Sequence, residues 1–193
     1  MNRFIARALR AVFGNFAVWR IFMAIAPGSG AVKAHFANSP MRLQVVDRTT
    51  IEGCADGLLR DQAWYCGAGC EAFGCLVDST LVGVCFFWHG ERYTLRDFWP
   101  LAEREAMLVQ IVTSVQARGR GVAGVLIPFA TEQMTDRGFD RLFARVWYSN
   151  QPSWKAFSRA GWLQVATLVE IDPMRSGSPW RWVRRRRMAD SAS

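Results

Sequence analysis

The stretch Arg118-Gly119-Arg120-Gly121-Val122-Ala123 lies between a long apolar run and a segment with helical spacing. A basic, glycine-rich turn that closes a strand and opens a helix is suited to hold a pyrophosphate. Glycines let the backbone come close to phosphate oxygens, and the first amides of the helix that follows point outward without acceptors. An ordinary strand–helix loop also carries glycines, so the hexapeptide alone leaves both possibilities open. The flanking segments weigh for the phosphate.

Just upstream, residues 105–114 are nearly continuously apolar and read as a buried central strand. Downstream, residues 122–135 have helical spacing, 141–148 read as a strand, 153–160 as a short helix and 163–171 as a closing strand. Earlier in the chain, residues 43–46 form a short strand candidate and 50–61 a helix-like stretch. Two β-rich runs, 71–77 and 81–88, are separated by Asp78-Ser79-Thr80, a hairpin signal, and a polar and aromatic loop spans 89–100. Strands first alone and then alternating with helices predict an α/β domain with a mixed sheet covered by helices.

The chain has 193 residues, which fits one domain with appendages. Its net charge of +8 is carried by arginine, since Lys33 and Lys155 are the only lysines. That balance suits an anionic ligand, a membrane surface or nucleic acid. Five cysteines, Cys54, Cys66, Cys70, Cys75 and Cys85, form an odd set without a secretory signal, which points to reduced thiols and a cytoplasmic protein. Their spacing lacks the paired pattern of a zinc site, and His35 and His89 do not complete one, so no metal is expected.

Both ends stand apart. Residues 1–26 are apolar but punctuated by Arg3, Arg7, Arg10 and Arg20, the first three on one helical face. No uncharged run reaches the roughly 20 residues that span a bilayer. An amphipathic helix lying on the inner face of the cytoplasmic membrane is one expectation, and a helix packed on its own domain or on a dimer partner is the other. Proline and glycine between residues 27 and 40 mark a boundary, giving segments 1–40, 41–172 and 173–193. The last contains Trp180-Arg181-Trp182-Val183 and Arg184 to Arg187, which suits anionic headgroups better than nucleic acid.

The order of strand, Arg-Gly-x-Gly-x-Ala turn, helix and strand, followed by Asn150-x-x-Ser153 and Gly161-Trp162, resembles the GNAT superfamily of acyl-CoA-dependent N-acyltransferases. The family's phosphate signature fits in two registers, Gln116 to Gly121 or Arg118 to Ala123, and its later motif is similar to Asn150, Ser153, Phe157 and Gly161-Trp162. The resemblance covers residues 41–172. It implies a mostly antiparallel central sheet flanked by helices and acetyl-CoA as co-substrate. The phosphates would sit on Gln116, Arg118, Gly119, Arg120, Gly121, Val122 and Ala123. The pantetheine arm would run between strands 105–114 and 141–148, with the thioester near Val112 and Thr113. Asn150, Ser153 and Phe157 would complete the cofactor site. The acceptor is a small primary amine, for which an amino sugar of envelope polysaccharide synthesis is the working example.

Such an amine must lose a proton. The histone-acetylating branch of the family places a glutamate much as Glu105 is placed here, which makes Glu105 the first choice of base, with His89, Glu91, Asp97 and Glu103 in reserve. The sequence departs from the family at Phe157, where many members carry a tyrosine that protonates the departing thiolate; Tyr148, Ser153 or water would then substitute. A non-catalytic binding module recruited by its basic termini is the alternative.

Overall fold

A computed structural model describes residues 15–25, 41–172 and 180–186. Its strands are β1 (Asn15–Ile25), β2 (Met41–Val45), β3 (Cys70–Val77), β4 (Thr80–Trp88), β5 (Glu105–Thr113), β6 (Arg141–Trp147), β7 (Leu163–Asp172) and β8 (Trp180–Arg185). The helices are α1 (Arg48–Glu52), α2 (Gly57–Arg60), α3 (Gly90–Tyr93), α4 (Val122–Asp136) and α5 (Gln151–Arg159). All eight strands join one sheet in the order β2-β3-β4-β5-β6-β1-β7-β8. Among the described residues, β5 and β6 form its one parallel pair. The mixed, mostly antiparallel sheet is therefore as expected.

One face packs under α4 and α5, where Leu126, Ile127, Ala130, Met134 and Phe157 join Phe73, Phe87 and Leu142 in a continuous core. On the other face Ile51, Leu59 and Tyr65 pack with Phe86, Trp88 and Met107. The single helix expected over 50–61 is two short ones. Asp47 accepts from the Thr50 N–H at 2.8 Å and Asp56 from the Leu58 N–H at 2.9 Å. Each aspartate thus caps its own start, and the second cap reinitiates the helix after Gly53.

The N-terminal expectation needs correction. Residues 15–25 do not lie in a helix; they form β1, between β6 and β7 in the interior of the sheet. The ladder to β6 runs from Trp19↔Trp147 to Ile25↔Arg141, and β7 pairs along the other side. Both faces are covered: Ile21 is 0% exposed and Phe22 2%. A strand covered on both faces reads as an unbroken apolar run, which periodicity alone does not separate from a buried helix.

Arg20, which looked like an interruption, lies over the Tyr148 ring at 4.8 Å and the Trp154 ring at 5.1 Å, and donates to Gln164 Oε1 at 3.3 Å. The described part of the basic tail is the edge strand β8, paired with β7 from Ala166↔Arg185 to Ile171↔Trp180. Residues 1–14, the break at 27–40 and the tail beyond residue 186 lie outside the described residues. Among the described residues, no helix is long and apolar enough to cross a membrane.

Because β1 is interior, Phe22→Ala is expected to cost about 3–5 kcal/mol of stability through the cavity it leaves. Urea unfolding monitored by circular dichroism reads this directly. A loss below about 1 kcal/mol would contradict the placement of β1.

Candidate active site

The glycine turn forms the first wall. Gly119 and Gly121 have φ of +77° and +83°, in the left-handed region that side chains disfavour, and Gly121 is the N-cap of α4. Helix hydrogen bonding begins with the Val125 N–H donating to the Gly121 carbonyl at 3.2 Å. The amides of Val122, Ala123 and Gly124 thus precede the first intrahelical bond and point out of the helix end. Val122 is buried against Gly83 of β4, where a Cβ would come within 2.5 Å of Val122 Cγ1. Gly83 thereby lets the start of α4 close onto the sheet. Gln116, Arg118 and Arg120 are exposed around the turn. The positive end of a 15-residue helix and two guanidiniums meet there.

The second wall is an opening in the sheet. The parallel ladder of β5 and β6 runs from Glu105↔Arg141 to Leu108↔Ala144 and then stops. β5 continues beside β4 as far as Gly83↔Thr113, with a bulge that leaves Val109 extra. The Ile111 N–H donates to its neighbour's Gln110 Oε1 at 3.2 Å, whereas the Ser114 N–H donates to Val82 of β4 at 2.9 Å. Backbone groups alternate along a strand, so the Ile111 and Thr113 amides face away from β4, toward the gap. The gap is a cleft of about 280 Å³ lined by Leu108 to Ile111, by Ala144 to Trp147, and by Trp19, Arg96, Phe98, Asn150, Ser153 and Phe157.

Three expected site residues meet in this cleft. Asn150 caps α5, its Oδ1 accepting from the Ser153 N–H at 3.2 Å. Phe157, one turn on, is buried between Phe22 at 5.7 Å and Trp162 at 5.0 Å. Its ring packs the cleft floor and offers no proton. Val112 and Thr113 lie on β5 beyond the cleft lining, toward the glycine turn. The strands themselves part beyond Leu108↔Ala144.

Glu105 is held apart from the cleft. It is buried, paired with Arg141 and accepts from the Ala102 N–H at 2.8 Å, and it lines a separate pocket with Trp99 and Arg185. The carboxylate anchors the loop before β5 to the start of β6. Tyr148 is 49% exposed under the Arg20 guanidinium and does not line the cleft. His89 packs beside Phe139 at 4.9 Å, and neither it nor Glu91, Asp97 or Glu103 lines the cleft.

Other residues line the cleft instead. Arg96 and Arg145 are the ionisable groups among the described lining residues, and Trp19, Phe98, Trp147 and Gln110 surround them. Arg145 carried a signal: a cation inside the strand Arg141–Trp147, on the same face as buried Phe143.

The cysteines lie elsewhere. Burial pushes the Cys70 thiol up to about 12 and Cys75 to about 11, and it raises Cys66 and Cys85 as well. These thiols stay neutral, and none lines the cleft. Among the described residues, no three His, Cys, Asp or Glu side chains gather as a metal site.

The model of the acetyltransferase (GNAT) family matches residues 42–162. The chain belongs to the GNAT family. Solved structures give the same fold at low identity. A GNAT-family acetyltransferase from Novosphingobium aromaticivorans is 15% identical with a TM-score of 0.54, covering 81% of this chain and 64% of its own. A conserved protein from Staphylococcus epidermidis is 11% identical, TM-score 0.57, covering 89% and 67%. A Drosophila protein is 10% identical, TM-score 0.55, covering 83% and 52%. The GNAT chain thus spans under two thirds of the Novosphingobium protein and about half of the Drosophila one. No curated protein matches the sequence.

The raised thiols fix a pH response. Unfolded cysteines ionise near 8.5 while the buried ones remain protonated, so their contribution is complete below that pH and is lost as pH climbs toward 11 to 12. The urea midpoint should therefore fall between pH 8 and pH 10. A disulfide reagent at pH 8 should find five thiols in urea and fewer in the folded protein. Five fast-reacting thiols in the native state would overturn the assignment.

Proposed function

We propose that this GNAT domain transfers an acyl group, acetyl in the first instance, from acyl-CoA to a primary amine by direct attack. The observation that carries the proposal is the parting of β5 from β6 at Leu108↔Ala144, which opens a cleft edged by backbone amides beside the helix-opening glycine turn. The donor set suits such a molecule. Outward amides at Val122 to Gly124, with Arg118 and Arg120, complement phosphate charge. The unpaired edge of β5 offers strand-like contacts to an extended amide-bearing arm.

Acyl-CoA supplies a thioester, whose C–S bond is replaced by a C–N bond to the amine with release of CoA thiol. The chain's part is orientation. The Thr113 amide is a donor for polar groups laid along the edge, and Leu108 to Ile111 mark the depth at which the reacting carbonyl would sit. Phe22, Phe157 and Trp162 keep the floor packed and apolar. Neither a carboxylate nor an imidazole is among the described lining residues, so the amine proton passes to water. The leaving thiol ionises near 8.5 and departs without a side-chain acid.

The second reading is a non-catalytic acyl-CoA-binding module. Phe157 favours it, because the ring in that place cannot donate a proton.

Gly121→Val tests the turn. A β-branched residue is strained at φ +83° and crowds the backbone where phosphates would approach. Affinity for CoA, measured by titration calorimetry on a variant whose circular dichroism matches the parent, should drop at least about tenfold, or 1.4 kcal/mol. Unchanged affinity would remove the phosphate role. Thiol release across an amine panel then separates the enzyme from the binding module.

A further inference from the structure

We infer that the acceptor amine carries an anionic group, a carboxylate or a phosphate monoester, held by Arg96 and Arg145 at the mouth of the cleft. This deepens the acyltransferase reading and rests on it.

Four strands and one loop bring the charges together. Arg145 of β6 lies across the Phe98 ring at 3.7 Å and the Trp19 ring at 4.1 Å, with its side chain 21% exposed. Its Nη1 donates to Glu170 Oε2 at 3.3 Å. Glu170 is already engaged twice more, by Trp19 Nε1 at 2.7 Å and by Arg181 Nε at 3.1 Å. One carboxylate thus serves two guanidiniums. Arg96 adds a third cation. It is exposed, spans the Trp64, Tyr65 and Trp88 rings at 5.5 to 5.7 Å, and donates from Nη2 to the Tyr65 hydroxyl at 3.1 Å. Asp97, the nearby acid on the loop, lines the neighbouring pocket instead of the cleft.

The balance is cationic, and the aromatic rings hold both guanidiniums without neutralising them. Burial lowers the Arg145 pKa, Glu170 counters this, and the proximity of Arg96 and Arg181 lowers it further. These are cations in mutual repulsion that line one cleft, and a carboxylate or phosphate is the group a guanidinium pairs with bidentately. A polycationic amine would meet repulsion in the same place, and an amino sugar without an acidic group would leave Arg96 without a carboxylate among its described contacts and Arg145 with only its share of Glu170. Trp19, Phe98 and Trp147 form the rest of the mouth, so an apolar flank on the acceptor is also accommodated.

There is a kinetic advantage. An ammonium beside a free carboxylate is stabilised by it; engaging that carboxylate with arginine removes the stabilisation, and nearby cations further favour the neutral amine. The pair thus helps make a nucleophile in a cleft without a side-chain base among its described lining residues.

The test uses matched probes on the full chain: phenylalanine against phenylalaninamide, and glucosamine 6-phosphate against glucosamine, each with acetyl-CoA and a thiol readout. At least one acid should exceed its neutral partner in kcat/KM by about tenfold or more, and the pair that does so distinguishes carboxylate from phosphate. Arg96→Gln should lower kcat/KM for that acid about tenfold and for its neutral partner by clearly less, so that the preference for the acid shrinks, and Arg96→Lys should restore part of it.

A binding arm covers the case of no turnover or a poorly folded variant. N-acetylphenylalanine and N-acetylglucosamine 6-phosphate, titrated calorimetrically into CoA-saturated parent protein, should bind tighter than their uncharged counterparts for at least one pair. Equal use, or equal binding, of acid and neutral partner in both pairs would overturn the inference. CoA is titrated first: a failure there defeats the acyltransferase reading, and the product titrations on the free protein then decide the anion site by themselves.

Discussion

β5 and β6 part beyond Leu108↔Ala144 while each stays paired on its far side with a different neighbour. β5 is paired with β4 as far as Thr113, and all seven residues of β6 are paired with β1. Between them only four register pairs form before the strands separate. The cleft is thus an interior feature of a continuous sheet. Its depth is set by where the ladder ends, and the extra residue at Val109 bends β5 at that place. Buried packing of Phe22 against Phe157 ties β1 to α5, so the floor and the strand that holds β6 belong to one core.

Around this opening the chemistry is divided by face and by end. The α4 end offers amides and exposed arginines, suited to phosphate. The mouth offers Arg96 and Arg145, stacked on aromatic rings and underbalanced by Glu170. The ion pair of Glu105 with Arg141 and its bond to the Ala102 amide fasten the loop that carries Phe98 and Trp99 across the sheet.

The parts legible in sequence were those written in local chemistry. The glycines of residues 118–123 marked a strand-to-helix turn, Asn150-x-x-Ser153 stood out as a motif, and the pattern from residue 71 onward told the order of strands and helices. What escaped depended on contacts far apart in the chain. β1 is apolar on both faces and so carries no period to separate it from a helix, and its neighbours are residues 141–147 and 163–172. The depth of the cleft could not be read from residues 105–114, because the ladder's end depends on what holds β6. Arg96 and Arg145 come from a loop and a strand 49 positions apart, and only the fold places both at one mouth. A cation inside strand Arg141–Trp147 was the one trace available beforehand.

Hydrogen–deuterium exchange with and without saturating CoA most directly tests whether the parted strands and the glycine turn form one binding site. Amides facing the gap should become protected together with those at the start of α4, so peptides spanning 109–113 and 119–125 should slow while β8 at the far edge stays unchanged. Protection confined to β8, or no protection at either the gap or the turn with CoA in excess, would contradict the site.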